Sequence, residues 1–381
     1  MAGLYIHIPF CARKCAYCSF VSFADRLDQA GEYLAALERE AGFYAPDGAR
    51  IAPDTLYAGG GTPGLLSAER IEKLCAVIAA HFKAPGGFSE STFEANPETF
   101  TAEKIRAVKT GGFNRVSLGL QSFDDAVLKF LGRAHSGADF ERVFSALRKN
   151  GFDNINADLI TGVARRGKTA FRAELKRLAA LKPEHISLYA LSVEEGTLFH
   201  DSGVAPDDEL ARAEYDAARE LLAAAGYEHY EISNFALPGR QSAHNMNYWR
   251  GGEYMGLGCS AASYLRGERT VNTAVLDEYL GAFSGGHIAV RGSICPSRAV
   301  SPAVRFHERL AGKAALGERI ILGLRMLCGI TVTPEMEDAF ARQFEELEAS
   351  GLLERTGHAV RLSSEGLYLS NSVFREFVEP F

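Results

Sequence analysis

Short apolar runs alternate with stretches of helical period through the first 235 residues or so. Leu4–Ile8 reads as a strand. Tyr33–Phe43, with apolar side chains recurring at three- and four-residue intervals, reads as a helix. The alternation then repeats. Strands are expected at Thr55–Ala58, Ser91–Glu94, Val116–Leu120, Ile155–Ile160 and His185–Ala190. Helices are expected at Ala68–His81, Ala102–Lys109, Phe140–Lys149 and Phe171–Leu181. Six strands separated by helices predict parallel pairing through crossover helices. The expected fold class is α/β, a partial parallel (β/α)6 TIM-like barrel whose chemistry sits at the carboxyl ends of its strands.

After a helix at Leu210–Ala225 the pattern loosens. Residues 236–300 are rich in Gly, Ser, Tyr and Asn and suggest an irregular linker. The helical period returns at Ala315–Met326 and Glu335–Ser350, followed by a hairpin over 352–362 and a last helix at Ser364–Phe377. The chain thus divides into a core (1–235), the irregular segment (236–300) and a small helical, winged-helix-like unit (301–381).

Composition narrows the functional classes. The 381 residues are 47% hydrophobic and 23% charged, as in ordinary globular proteins. A formal net charge of −7 argues against broad nucleic-acid binding, which needs a basic surface. No apolar run reaches the roughly 18 residues of a membrane span, and the start Met1-Ala2-Gly3-Leu4-Tyr5 does not read as a signal peptide. A cytoplasmic location is expected, where thiols stay reduced and seven cysteines are not a disulfide framework.

Three of those cysteines, Cys11, Cys15 and Cys18, follow the first strand as Cys-x3-Cys-x2-Cys. Thiolates are the usual ligands of iron–sulfur clusters, and a compact loop can hold three corners of a cube. Position 20, where a close fourth ligand could stand, is Phe20, so the fourth iron is left open. A zinc site would need a fourth Cys or His at finger spacing, and His7 lies in the strand instead. Cys75, Cys295 and Cys328 read as packing or incidental residues.

The run Gly3-Leu4-Tyr5-Ile6-His7-Ile8-Pro9-Phe10-Cys11, with Lys14-Cys15-Ala16-Tyr17-Cys18, resembles the opening of a known family. Its members are radical S-adenosylmethionine proteins related to the oxygen-independent coproporphyrinogen III oxidase. The resemblance extends over nearly the whole chain, including Gly317–Met326 and Leu367–Asn371. It implies a 4Fe–4S cluster on the three cysteines with S-adenosylmethionine at the open iron, and an electron donor such as a flavodoxin or ferredoxin.

The strand ends carry the rest of this resemblance. Gly59-Gly60-Gly61-Thr62-Pro63 follows the second strand. Alone it is no more than a turn, but it resembles the loop that holds the cofactor's methionine end, with Gly60, Gly61 and Thr62 in contact. Glu94, Gln121 and Asp158 stand at later strand ends, and Arg133 follows in Leu131-Gly132-Arg133. Any one of these could cap a helix or satisfy backbone locally. Together, by resemblance, they contact the cofactor, with Tyr5, Tyr17 and Ala190 lining the same pocket.

Two features resemble the HemW-type branch, whose members bind haem and act as haem chaperones, more than the oxidase. Ser19-Phe20 stands where the oxidase continues Cys-x-Cys, and the chain begins at the first strand. His244-Asn245-Met246-Asn247-Tyr248-Trp249 also matches that branch, which makes His244 a candidate haem ligand; a histidine hydrogen-bonded in a loop is the other reading. The implied function is haem binding and delivery to an acceptor haemoprotein. The alternative is oxidative decarboxylation of coproporphyrinogen III, or radical chemistry on another tetrapyrrole. Two stretches depart from the branch. Ala262 stands where a histidine is common, and Thr161–Thr169 carries Arg165, Arg166 and Lys168, which read as a solvated basic loop.

Overall fold

A computed structural model describes residues 1–82, 86–167, 170–284 and 300–378. Cys295 and Lys168 lie outside them. Six strands run parallel, side by side in chain order: β1 (Ala2–Ile8), β2 (Thr55–Gly60), β3 (Glu90–Ala95), β4 (Arg115–Gln121), β5 (Ile155–Thr161) and β6 (His185–Ala190). Helices connect successive strands, as the sequence pattern predicts. They begin where short polar side chains can take up free backbone N–H groups. Ser67 accepts from Arg70 N, Thr101 from Lys104 N, and Ser136 forms a reciprocal box with Asp139.

The sheet has two chemically different faces because side chains alternate along each strand. Leu4, Ile6 and Ile8 of β1, Leu56 and Ala58 of β2, Val116, Leu118 and Leu120 of β4, and Ile155, Ala157 and Leu159 of β5 join one core cluster with residues of the surrounding helices. The alternate positions carry Tyr5 and His7, Tyr57, Glu94, Arg115 and Ser117, Asn156 and Asp158. The apolar core therefore sits outside the sheet, and the concave inner face is polar.

Residues 236–284, the described part of the stretch 236–300 apart from Val300, are not irregular. After β7 (Glu228–Glu231) and β8 (Asn234–Ala236), which add to β6 antiparallel, comes a helix Ala243–Trp249. Then β9 (Glu253–Leu257) pairs parallel to β1, and β10 (Ala262–Leu265), β11 (Glu268–Asn272) and β12 (Val304–Arg309) continue antiparallel. The sheet runs β12-β11-β10-β9-β1-β2-β3-β4-β5-β6-β8-β7 and, among the described residues, does not close.

Because β12 belongs to this sheet, the C-terminal unit starts with the helix Gly312–Leu324. It continues with β13 (Ile330–Thr331), the helix Pro334–Ala349, β14 (Leu353–Thr356) and β15 (Ala359–Leu362). The last helix is two, Ser364–Tyr368 and Ser370–Arg375. Ile320, Leu324, Phe340, Phe344, Val360 and Phe374 give this unit its own core. Backbone bonds from Ile232 N to Arg325 O and from Leu327 N to Tyr230 O tie it to the large sheet, and the Arg325 guanidinium lies 4.2 Å over the Trp249 ring. No helix among the described residues is long and apolar enough to cross a membrane.

Candidate functional site

A cavity of about 420 Å³ opens over the inner face of β2 to β6. Cys11, Cys15 and Cys18 line it from the loop after β1. Backbone bonds from Cys11 N to Phe23 O and from Ala16 N to Leu131 O hold that loop against the barrel. Thr62 Oγ1 lies 3.5 Å from Cys11 Sγ, and Arg133 Nη1 donates to Cys15 Sγ at 3.5 Å. Burial pushes the Cys18 thiol up. Among the described residues no three His, Cys or carboxylate groups converge on a single ion. A cube of four irons takes one thiolate at each of three separate corners, so its ligands surround a volume rather than a point.

The loop after β2 is glycine for steric reasons. Gly60 has φ +109°, and a Cβ there would stand 2.4 Å from the His7 ring; one on Gly61 would stand 2.7 Å from the Phe10 carbonyl. Thr62 N then donates to Phe10 O, which locks this loop beneath the cysteine loop.

Polar groups converge on the same cavity. The Tyr57 hydroxyl donates to Glu94 Oε1 at 2.6 Å and Gly60 N to Oε2 at 3.1 Å. Burial still pushes the Glu94 carboxyl up to about 7. Asp158, raised by burial too, accepts from Asn156 Nδ2 at 2.8 Å and Ser117 Oγ at 3.3 Å. Arg133 Nη2 donates to Asn96 Oδ1 at 2.6 Å, and Asn96 Nδ2 donates to Thr62 Oγ1 at 3.0 Å. Gln121 takes φ +65° where the β4–β5 register shifts. A non-glycine residue in that region is uncommon and concentrates at functional sites.

Of the residues expected here, Tyr17, Gly60, Gly61, Thr62, Glu94, Gln121, Arg133, Asp158 and Ala190 line this cavity together with the three cysteines. Tyr5 does not. Its hydroxyl donates to His7 Nδ1 at 3.0 Å, and it lines a second cavity beside β1. His244 lines neither. Its Nδ1 lies 2.8 Å from Thr55 Oγ1 and its Nε2 2.8 Å from the Tyr248 hydroxyl, with only 1% of the residue exposed. To ligate iron, either nitrogen of His244 would first have to give up its partner.

Asn96, Arg115 and Asn156 were missed by sequence reasoning, although polar residues at alternate positions of otherwise apolar strands were a legible signal. Arg115 is 2% exposed, and its Nε, like that of Arg133, has no hydrogen-bond partner among the described residues.

Arg166 corrects the reading of a solvated basic loop. Its guanidinium is fully buried between Glu174 (3.2 Å) and Glu214 (3.3 Å) and donates to Ile160 O at 2.8 Å. Glu174 in turn accepts from Phe123 N and Glu214 from Gly162 N. Arg166 thus braces the ends of β4 and β5. Arg165 stacks on the Phe130 ring.

Residues 5–196 match the radical SAM superfamily, and 310–369 match the HemN C-terminal domain. The haem chaperone HemW of Bacillus subtilis is 34% identical, over 99% of this chain and 99% of its own. The chain belongs to the HemW family of the radical SAM superfamily. A mouse relative, the mitochondrial radical S-adenosyl methionine domain-containing protein 1, is 32% identical over 98% of this chain and 86% of its own. Coproporphyrinogen III oxidase (HemN) of Escherichia coli superposes with a TM-score of 0.83 at 22% identity, covering all of this chain and 90% of that one, which shows a shared fold.

Superfamily membership implies a 4Fe–4S cluster and S-adenosylmethionine, and the residues present fit both. Three thiols match the cluster, the orphaned nitrogens of Arg115 and Arg133 suit a carboxylate, and Glu94 and Asp158 suit ammonium or hydroxyl groups.

Proposed function

We propose that this protein is a haem chaperone, binding haem and passing it to an acceptor haemoprotein while carrying a 4Fe–4S cluster and S-adenosylmethionine. The observation that carries the reading is identity to a HemW of 34% across 99% of both chains. Likeness to the oxidase HemN lies at 22% identity and concerns the fold.

Cys11, Cys15 and Cys18 would hold the cluster. Arg133, steadied by Asn96, would pair the cofactor's carboxylate bidentately, and Glu94 and Asp158 would accept from its polar hydrogens. When bound, the cluster supplies single electrons to the sulfonium centre, whose carbon–sulfur bond can then break. The Gly60–Thr62 loop and the cysteine loop wall this space off from one side. A flavodoxin or ferredoxin is the proposed electron donor, and the cytoplasm, where thiols stay reduced, the proposed compartment.

The test is an anaerobic incubation of reconstituted protein with S-adenosylmethionine, reductant and coproporphyrinogen III, paired with transfer of bound haem to an apo-haemoprotein. Transfer without decarboxylated product is expected. Robust decarboxylation would replace the chaperone reading with the oxidase.

A further inference from the structure

A second cavity, of about 530 Å³, lies between β1, β9 and β10 on one side and the helix Gly312–Leu324 on the other. It shares only Phe20 with the cavity of the cysteines. We propose that this second cavity is the haem pocket, with Arg250 and Arg319 holding the two propionates. The inference rests on the haem-chaperone reading and adds to it a location and a mode of recognition.

Size and shape come first. Pockets for small molecules and cofactors span roughly 300–1,000 Å³ and are mostly apolar, with a few placed polar groups. Here Tyr248 and Trp249 come from the helix Ala243–Trp249, Tyr254 from β9 and Tyr264 from β10, facing Leu322 across the cavity. Aromatic walls suit a flat conjugated macrocycle, which stacks on ring faces. The cysteine cavity, whose wall carries Arg115, Asn156 and Asp158, has to hold the cluster and its cofactor already.

Charge comes second. A haem carries two carboxylates on one edge, and guanidinium groups pair with carboxylates through two parallel hydrogen bonds. Arg250 and Arg319 both line the cavity and are both exposed. Among the described residues neither is in an ion pair within 4 Å. Arg269, in the same wall, is committed to Glu308 at 2.7 Å and Glu318 at 2.6 Å and is not available.

The third observation concerns the iron. His7 is the one histidine on this wall, and both its nitrogens are used: Nε2 donates to Val21 O at 3.0 Å, which leaves Nδ1 to accept from Tyr5. Ferric haem here meets tyrosine oxygens or water rather than imidazole, and a high-spin spectrum follows. Ala262, where the family resemblance leads to a histidine, lines the same cavity. An imidazole at that position would reach into the space the haem occupies.

The experiment titrates the full-length, cluster-reconstituted protein with haemin and records affinity and absorption spectrum. The Arg250→Glu, Arg319→Glu double variant should bind haemin at least ten-fold more weakly, with iron content and S-adenosylmethionine affinity unchanged. The Ala262→His variant should bind haemin with a Soret band shifted from its wild-type position by the added imidazole ligand. Wild-type affinity in the first variant together with a wild-type spectrum in the second would overturn the placement. A wild-type protein that takes up no haemin would overturn the chaperone reading itself.

Discussion

The hydroxyl of Tyr248 lies 2.8 Å from Nε2 of His244, and Thr55 Oγ1 lies 2.8 Å from that ring's other nitrogen. The histidine is thereby a buried link between β2 and the helix Ala243–Trp249, and its ring stands 5.3 Å from that of Tyr57. Replacing it with alanine should leave the haem Soret band in place. The loss of two buried hydrogen bonds should instead lower stability by about 1–3 kcal/mol, read by denaturant unfolding. A variant that keeps its stability and loses the Soret band would restore the iron-ligand role.

The same residue sets a pH dependence. Burial lowers the His244 pKa from 6.5 to about 3, so the folded chain keeps it neutral. Below pH 6.5 the unfolded chain takes up a proton that the folded one does not. Its contribution is therefore full above pH 6.5 and is lost as pH falls towards 3. Unfolding midpoints of the wild type and of His244→Ala should converge over that window.

Glu94 titrates in the opposite sense. Its carboxyl is raised by burial from 4.5 to about 7, so in the free protein it is half protonated near neutrality. A cationic cofactor favours the ionised form, and its affinity should rise between pH 5 and 7 and level off above that. Calorimetric titration with S-adenosylmethionine should show this rise in the wild type and lose it in Glu94→Gln. An equal rise in both proteins would assign the proton elsewhere.

Arg166 brings two carboxylates together in the interior. Breaking a buried ion pair by removing one partner leaves uncompensated charge and typically costs about 3–5 kcal/mol. Arg166→Ala should lose stability of that order in denaturant unfolding, whereas Arg165→Ala should change it little. Equal small effects at both positions would contradict the buried brace.

How much of this was legible follows from where each residue's partners lie. The cysteine loop and the strand-end polar groups were readable because each sits in a local run, directly after an apolar strand. Arg166 was not, since a charge in a loop reads as solvated until Glu214, 48 residues on, closes over it. The packing of His244 was hidden for the same reason, its partner Thr55 lying 189 positions away. Strands β9 to β11 are only four or five residues long, and β9 pairs with β1, some 250 positions away in the chain. No local period announces such a contact.

The cluster assignment has its own check. Anaerobic reconstitution should load about four irons per chain, as a 4Fe–4S cluster requires, and Cys15→Ala should abolish loading. Stoichiometric zinc in place of iron would contradict it.

The central claim is that this radical SAM chain handles haem as cargo. A spectrophotometric titration of the reconstituted protein with haemin tests it most directly. Saturation at one haem per chain, with a Soret band distinct from free haemin, is the predicted result; a linear, unsaturable signal identical to that of free haemin would contradict it.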